Sequence, residues 1–393
     1  MTKALIEFSC NMKKRRKTYS SLDDQEDIFE FPSNVFSKLV NHYLEQAVNT
    51  DFSAAIYEVN CDKNKNDSEN IAEQLRRIDP EIVANPLSDL HIAYGQLAFS
   101  RGESAVVVLC GGMATRFGGT VKALVEIFPG IRFLDIVMNR IFEISSKSGE
   151  LIPTIIITGP ESHRSIAAYI TERWPDALTE GWLYLVPQRI FPRIKRDGTL
   201  LETSEAPLFY PLGHGDVLFS IIEHGIINQL ASKGVRYLSI WGIDNLLAGP
   251  EAKVLGAHIR QQKKITIEVV NRVGKEAGGH ILNRSGRIEC IEDFRLNAAE
   301  SIITSPLQNT NSMVIDLDIF NNLPELSFFT VEKNVNDQIA IQFERLLGEI
   351  THYIDSHFLL VERKGMKSRF APIKTEEDKI KLQPFLYELL INR

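Results

Sequence analysis

The chain has 393 residues, a formal net charge of −7, 44% hydrophobic residues and four cysteines. The length suits one large α/β unit with appendages, or two to three small domains. The acidic balance disfavours a nonspecific nucleic-acid binder, and no apolar run is long enough to cross a bilayer. Cys10, Cys61, Cys110 and Cys290 show no metal or disulfide spacing, which with the missing signal peptide points to a reducing cytoplasm.

Residues 1–25, with the basic run Lys13 to Lys17, read as a solvated tail. Residues 26–101 read as an N-terminal helical region. Leu39, Val40, Tyr43, Leu44 and Ala47 form a helical stripe within 35–48, and the polar stretch 59–70 reads as a loop. Residues 71–101 read as helices with Leu90, Tyr94, Leu97 and Ala98 on one face. From Ala105 the texture changes. Apolar strands at 105–110, 154–158, 182–186, 236–241 and 265–270 alternate with helical segments at 134–146, 162–174, 215–230 and 250–262. This alternation predicts an α/β fold with a mainly parallel, Rossmann-like sheet and helices on both faces. The catalytic domain is expected over 102–374 and a C-terminal helix over 375–393.

Ligands of such sheets bind at the carboxyl ends of strands. The run Val106 to Lys122 ends a strand in Gly111-Gly112 and continues through Thr115, Arg116 and Lys122. Glycine lets backbone N–H groups approach an oxyanion, and the cations supply charge to phosphate oxygens. The spacing fits neither G-x-G-x-x-G nor the P-loop. Cys110, inside the strand, reads as a buried inert thiol.

Four further segments carry polar chemistry. In Pro211-Leu-Gly-His-Gly-Asp216, His214 is an anion donor or a solvent-facing loop residue. Asp244, in Gly242-Ile-Asp-Asn245, either holds Mg²⁺ against phosphates or caps a turn. Gln308-Asn309-Thr310-Asn311 offers amides to sugar hydroxyls or to a turn. Lys374 precedes Thr375, a predicted N-cap with Asp378 three residues on, so it is a phosphate ligand at a helix N-terminus or a surface lysine.

Together these segments resemble the UDP-glucose pyrophosphorylase (UTP–glucose-1-phosphate uridylyltransferase) family. Its L-x-G-G-x-G-T-x-x-G…P-K loop is matched by Leu109 to Lys122, and its N-Q-x-x-x-P-R-I by Gln188 to Ile194. Its P-P-G-H-G-D is matched by Pro211 to Asp216, and its N-I-D-N-L by Gly242 to Leu246. Its M-E-V…G-G is similar to Ile267 to Val270 with Gly278-Gly279. Its N-T-N-N is matched by Asn309 to Ser312, and its S-R-F-x-P-x-K by Ser368 to Lys374. The matches run in one order across residues 105–378.

The resemblance implies a nucleotidyltransferase fold of the GT-A-like type. Its activity would be the conversion of UTP and a sugar 1-phosphate, glucose 1-phosphate first, into UDP-sugar and pyrophosphate with Mg²⁺. It implies that Leu109, Gly111 and Gly112 cradle the nucleotide and that Lys122 and Lys374 meet the UTP phosphates, with Arg116 sharing the charge. Gln188 and Gly213 would contact uridine, His214 the sugar phosphate, Asp244 the Mg²⁺, and Asn309 with Asn311 the sugar. The chain departs from the pattern at Ala114, Val121, Pro187 and Gly242. No C-terminal β-helix is expected beyond Arg393; a monomer or small homo-oligomer is expected, and any oligomer would use another surface. A different sugar 1-phosphate, a nucleotide-binding regulator without turnover, and a nicotinamide oxidoreductase are the competing readings.

Overall fold

The computed structural model describes residues 33–47, 58–59, 75–77 and 88–390, apart from 115–116, 118, 204–207, 275, 277, 285, 293–294 and 297–304. Arg116, Thr115, the tail over 1–25 with its basic run, Cys10 and Cys61 lie outside the described residues. So does 60–70, most of the polar stretch expected as a loop. No described helix is long and apolar enough to cross a membrane. The chain divides into two compact units.

The first unit gathers the N-terminal helix with residues 189–212 and 327–344, two segments that lie inside the range expected for the catalytic domain. Helix Ser33–Ala47 buries Leu39, Val40 and Tyr43 of the predicted stripe, together with Phe36, to 2% exposure or less, with Leu44 half-buried. Their partners include Phe191, 5.1 Å from Phe36 between ring centroids, and Phe343. Strands Phe328–Val335 and Gln338–Glu344 form a hairpin whose two turn residues, Asn336 and Asp337, both have positive φ. That is the twist a two-residue hairpin requires, and Asn and Asp tolerate it. Glu58–Val59, read as the edge of a loop, adds a short strand to this hairpin.

The second unit is built on ten strands: β1 (Leu75–Arg77), β2 (Ser104–Leu109), β3 (Thr154–Thr158), β4 (Leu183–Pro187), β5 (Tyr237–Gly242), β6 (Ile265–Asn271), β7 (His280–Arg284), β8 (Arg287–Ile291), β9 (Leu307–Asp316) and β10 (His357–Leu360). Its main path runs β8-β7-β9-β5-β2-β3-β4. The four strands β5-β2-β3-β4 are parallel, as the alternating sequence predicts. Beyond β5 the pairing is mostly antiparallel, because β9 returns against both β5 and β6 and carries the β7–β8 hairpin, while β10 pairs in parallel with β6. The β2 side chains alternate between two cores, Val106 and Val108 on one face, Ala105 and Val107 on the other. Helices therefore cover both faces, which is why the strand reads as an uninterrupted apolar run.

Among the described residues, the helices of this unit longer than one turn are α1 (Asp89–Ser100), α2 (Phe133–Ser148), α3 (His163–Arg173), α4 (Val217–Glu223), α5 (Ile226–Ser232), α6 (Ala252–Gln261) and α7 (Glu376–Leu390). The helix expected over 215–230 is two helices, because Gly225 between them is left-handed at φ 67°. Among the described residues of 71–101, the helical reading holds for α1. Leu75–Arg77 is a strand on the free edge of β7.

The face expected to be buried on α1 is also corrected. His91, Gly95, Ala98 and Phe99 are buried, whereas Leu90, Tyr94 and Leu97 are 50%, 42% and 45% exposed. The cause is the close packing of α1 on α6. A Cβ at Gly95 would overlap the Ala252 backbone, and one at Gly256 would overlap the His91 backbone. Two backbones that near need small residues between them, and this selects the small face over the apolar one.

Candidate active site at the strand ends

The chain leaves β2 toward β3 and β4 on one side and returns to β5 on the other. That reversal opens a crevice at the carboxyl ends of β2 and β5, where open α/β sheets bind ligands. Leu109 and Gly242, the last residues of these strands, stand opposite each other in register, and Ile243 N–H donates to the Leu109 carbonyl at 3.2 Å. The glycine loop and the Asp244 turn are thus neighbours.

On the β3–β4 side, Gly111 packs on Gln188, whose side-chain Oε1 would overlap a Cβ at that glycine. Gln188 is buried and donates through Nε2 to the Gly213 carbonyl at 3.2 Å. Its backbone N–H donates to Thr158 at the end of β3. Gly111, Gln188 and Gly213 therefore form one cluster. Gly112 beside it has open space in front of its Cα. Past Gly112 the chain folds into a short hairpin, Met113–Ala114 against Thr120–Val121. Ala114 sits there in extended pairing, so the missing family glycine costs no strain. Lys122 follows the hairpin in a short 3₁₀ turn, its ammonium 6.0 Å above the Phe117 ring.

His214 accepts a hydrogen bond at Nδ1 from the Leu347 N–H, 2.9 Å away. A backbone N–H can only donate, so Nδ1 is deprotonated and the ring proton sits on Nε2. Burial lowers the His214 pKa to about 4, which keeps the ring neutral at neutral pH. The segment that supplies Leu347 is fixed in turn. Gly215 donates to the Arg345 carbonyl, and the Arg345 guanidinium pairs with fully buried Asp216 at 3.0 Å. A Cβ at Gly215 would lie 2.6 to 2.7 Å from Leu346 backbone atoms, so only glycine fits.

Asn309 lies on β9 where a bulge interrupts pairing with β6 between Glu268 and Val269. Bulges of this kind re-aim side chains. Asn309 Nδ2 donates to Asn311 Oδ1 at 2.9 Å, and the Asn311 N–H donates back to Asn309 Oδ1 at 2.9 Å. Asn309 is buried and Asn311 exposed, with Asn311 in the left-handed region at φ 56°. Nδ2 of Asn309 would lie 3.5 Å from a Cβ placed at Gly348, next to Leu347, so the amide pair shares a loop with His214.

Asp244 is partly exposed. A Cβ at Gly242 would sit 2.6 Å from its Oδ1, so the departure at Gly242 makes room for the carboxylate. The Asp244 carbonyl accepts from the Ile373 N–H at 2.9 Å, which places Lys374 one residue away. Lys374 itself is exposed. The predicted cap is present: Asp378 N–H donates to Thr375 Oγ1, and Asp378 Oδ2 accepts from the Thr375 and Lys374 N–H groups. Cys110 is fully buried, and burial pushes its thiol pKa well up, as an inert residue requires.

The sequence motifs contained Asn245, Gly215 and Arg369 without revealing what they hold. The Leu347 amide, which sets the His214 tautomer from 133 positions away, left no sequence signal because any residue but proline supplies a backbone N–H.

The profile of the family described as UTP–glucose-1-phosphate uridylyltransferase matches residues 16–392. The chain is 28% identical over 302 residues to the UTP–glucose-1-phosphate uridylyltransferase of Musa acuminata, covering 73% of this chain and spanning 63% of that protein's length. A mutant UDP-glucose pyrophosphorylase from Leishmania major, solved in complex with UDP-glucose, shares the fold. Its TM-score is 0.65 at 21% identity, over 80% of this chain and 72% of that one. A uridine diphosphate N-acetylglucosamine pyrophosphorylase from Trypanosoma brucei, solved in complex with an inhibitor, has a TM-score of 0.67 at 14% identity, over 90% and 76%. With the family profile spanning nearly the whole sequence, this chain belongs to the UTP–glucose-1-phosphate uridylyltransferase family.

Proposed function

We propose that the chain is a nucleotidyltransferase that joins UTP and glucose 1-phosphate into UDP-glucose with release of pyrophosphate, on a GT-A-like nucleotide-binding sheet. The observation that carries this reading is the placement of the family segments. Gly111, Gln188 and Gly213 cluster at one side of the crevice, and Asp244 and Lys374 adjoin each other at the ends of β2 and β5. His214 and Asn309 share the loop at 347–348.

The chemistry asks for no general base. The second pKa of a phosphate monoester is about 6, so the attacking oxygen is already ionised at neutral pH. Its attack on the α-phosphorus of UTP forms one phosphoanhydride while the bond to pyrophosphate breaks. Catalysis is then positioning and neutralisation of charge. Gly111 and Gly112 present backbone to the nucleotide, and Gln188 with Gly213 reads the base. Neutral His214 offers its Nε2–H to the sugar phosphate without adding charge. Asn309 and Asn311 meet sugar hydroxyls. Lys122 and Lys374, with Arg116, answer the triphosphate.

Asp244 suits Mg²⁺, a hard cation that takes one or two carboxylates and completes its shell with phosphate and water. Among the described residues no three His, Cys, Asp or Glu side chains gather into a metal cage, so the fit rests on Asp244 alone. Bound there, Mg²⁺ would neutralise phosphate charge as the pyrophosphate leaves. We assign the protein to the cytoplasm, which fits its buried free thiols, Cys110 and Cys290. The test is a coupled pyrophosphate-release assay with UTP, Mg²⁺ and a panel of sugar 1-phosphates. Turnover highest with glucose 1-phosphate supports the reading, and UTP binding with no pyrophosphate from any sugar phosphate refutes it.

A further inference from the structure

The Asp244 turn and the strap that carries Lys374 come from well-separated parts of the second unit's sequence, yet they are joined by more than one contact. Asn245 is buried and uses its whole amide on the strap. Its Nδ2 donates to the Arg369 carbonyl at 3.0 Å, and its Oδ1 accepts from the Ala371 N–H at 3.0 Å. With the bond from Ile373 N–H to the Asp244 carbonyl, this reproduces a short stretch of strand pairing.

Arg369 then locks the strap to the sheet. It is 6% exposed, and its guanidinium forks onto both carboxylate oxygens of Glu268 at the β6 bulge. It also reaches Glu251 and the Gly249 carbonyl. Burial alone would lower its pKa, but Glu268 and Glu251 outweigh burial and hold the guanidinium charged. From the other side, Arg140 of α2 donates to the Leu246 and Ala248 carbonyls and fixes the turn that follows Asp244.

We propose that Asn245 and Arg369 form a clasp that sets the distance and register between the Asp244 carboxylate and Lys374. They are positioning residues for the phosphoryl chemistry, acting through Lys374 rather than on substrate. The inference rests on the uridylyltransferase reading and deepens it. Two charged groups that must meet one triphosphate gain from being fixed to each other before substrate arrives, because a misplacement of about 1 Å costs roughly a hundredfold in rate. An amide that makes one donor and one acceptor bond to the strap allows only one register. The exposed Lys374 side chain has little else to orient it than its own backbone, held by Asp378 on one side and Ile373 on the other.

The test is a double-mutant cycle on the full chain, with pyrophosphate release as readout. Asn245→Ala is expected to lower kcat about 10- to 100-fold while KM for the sugar phosphate stays within about threefold. In a Lys374→Ala background, the same substitution is expected to cost no more than about threefold further, because the group it positions is gone. Asn245→Asp covers the case in which the alanine variant folds poorly. It keeps the acceptor for Ala371 N–H but sets a second oxygen against the Arg369 carbonyl, and the same loss and the same non-additivity are expected. Full additivity of either substitution with Lys374→Ala overturns the clasp, since a general loss of folded protein multiplies through any background. So does wild-type kcat in both Asn245 variants. A wild-type chain that releases no pyrophosphate overturns the activity itself, and the clasp with it.

Discussion

A single methyl group added at each of two adjacent glycines separates folding from nucleotide binding. In Gly111→Ala the new Cβ overlaps Gln188 Oε1 and lies 3.2 Å from Gln188 Cδ and 3.3 Å from the Gly159 nitrogen. Gln188, only 6% exposed, must rotate away and give up its 3.2 Å bond to Gly213. The lost bond and the unsatisfied buried amide together come to about 2–4 kcal/mol. In Gly112→Ala the Cβ enters open space, with φ outside the left-handed region, so stability should stay within about 0.5 kcal/mol or rise slightly. If UTP lies against Gly112, the same methyl group pushes the nucleotide off the backbone and KM for UTP rises about 10- to 100-fold, or ~1.4–2.7 kcal/mol. Thermal melts of both variants and initial rates against UTP concentration provide the readout. Wild-type KM for UTP in a folded Gly112→Ala protein would refute the nucleotide cradle. Equal destabilisation by both variants would refute the packing.

Other perturbations probe the rest of the site. Lys374→Ala should lower turnover by roughly two orders of magnitude or more, if its charge meets the phosphates as proposed, with little change in melting temperature because the side chain is exposed. Gly242→Ala places a Cβ 2.6 Å from Asp244 Oδ1 and should raise the Mg²⁺ concentration needed for half-maximal rate. His214 and His357 both have folded pKa values of about 4, lowered by burial from about 6.5 in the unfolded chain. The unfolded state therefore takes up protons first as pH falls. Stability is complete above about pH 6.5 and is lost between there and pH 4, about 2 kcal/mol for each ring by pH 5. Urea melts of the wild type and His357→Gln at pH 7.5 and 5 should show a smaller drop in the variant. Gly256→Ala should destabilise by about 3 kcal/mol or more, because its Cβ meets His91 backbone that cannot yield without parting α1 from α6.

The parts of this fold legible in the sequence are those where one residue's own chemistry decides. Five strands of the sheet announce themselves because both faces are buried, so Val106, Val107 and Val108 need no polar alternation. The Thr375–Asp378 cap is local, three residues apart, and the Leu39, Val40 and Tyr43 stripe follows helical spacing. What escaped depends on partners distant in the chain. The apolar stripe of Leu90, Tyr94 and Leu97 outranks Gly95 in any count of hydrophobicity, yet backbone proximity to α6 chose the small residues. The antiparallel half of the sheet follows from the return of β9, which no single strand encodes. In the site, the motif residues were readable by type and order, but their mutual placement was not. That Asn245 faces the strap and that His214 carries its proton on Nε2 follow from contacts more than a hundred positions apart.

In the proposed function, Lys122, Lys374 and an Asp244-bound Mg²⁺ gather around one phosphate chain at the ends of β2 and β5. The most direct test is a crystal structure of the full chain with Mg²⁺ and a non-hydrolysable UTP analogue. Both ammonium groups are expected within about 3 Å of phosphate oxygens and an Asp244 oxygen about 2.1 Å from the metal. A nucleotide bound elsewhere, or either lysine directed away from the phosphates, would contradict it.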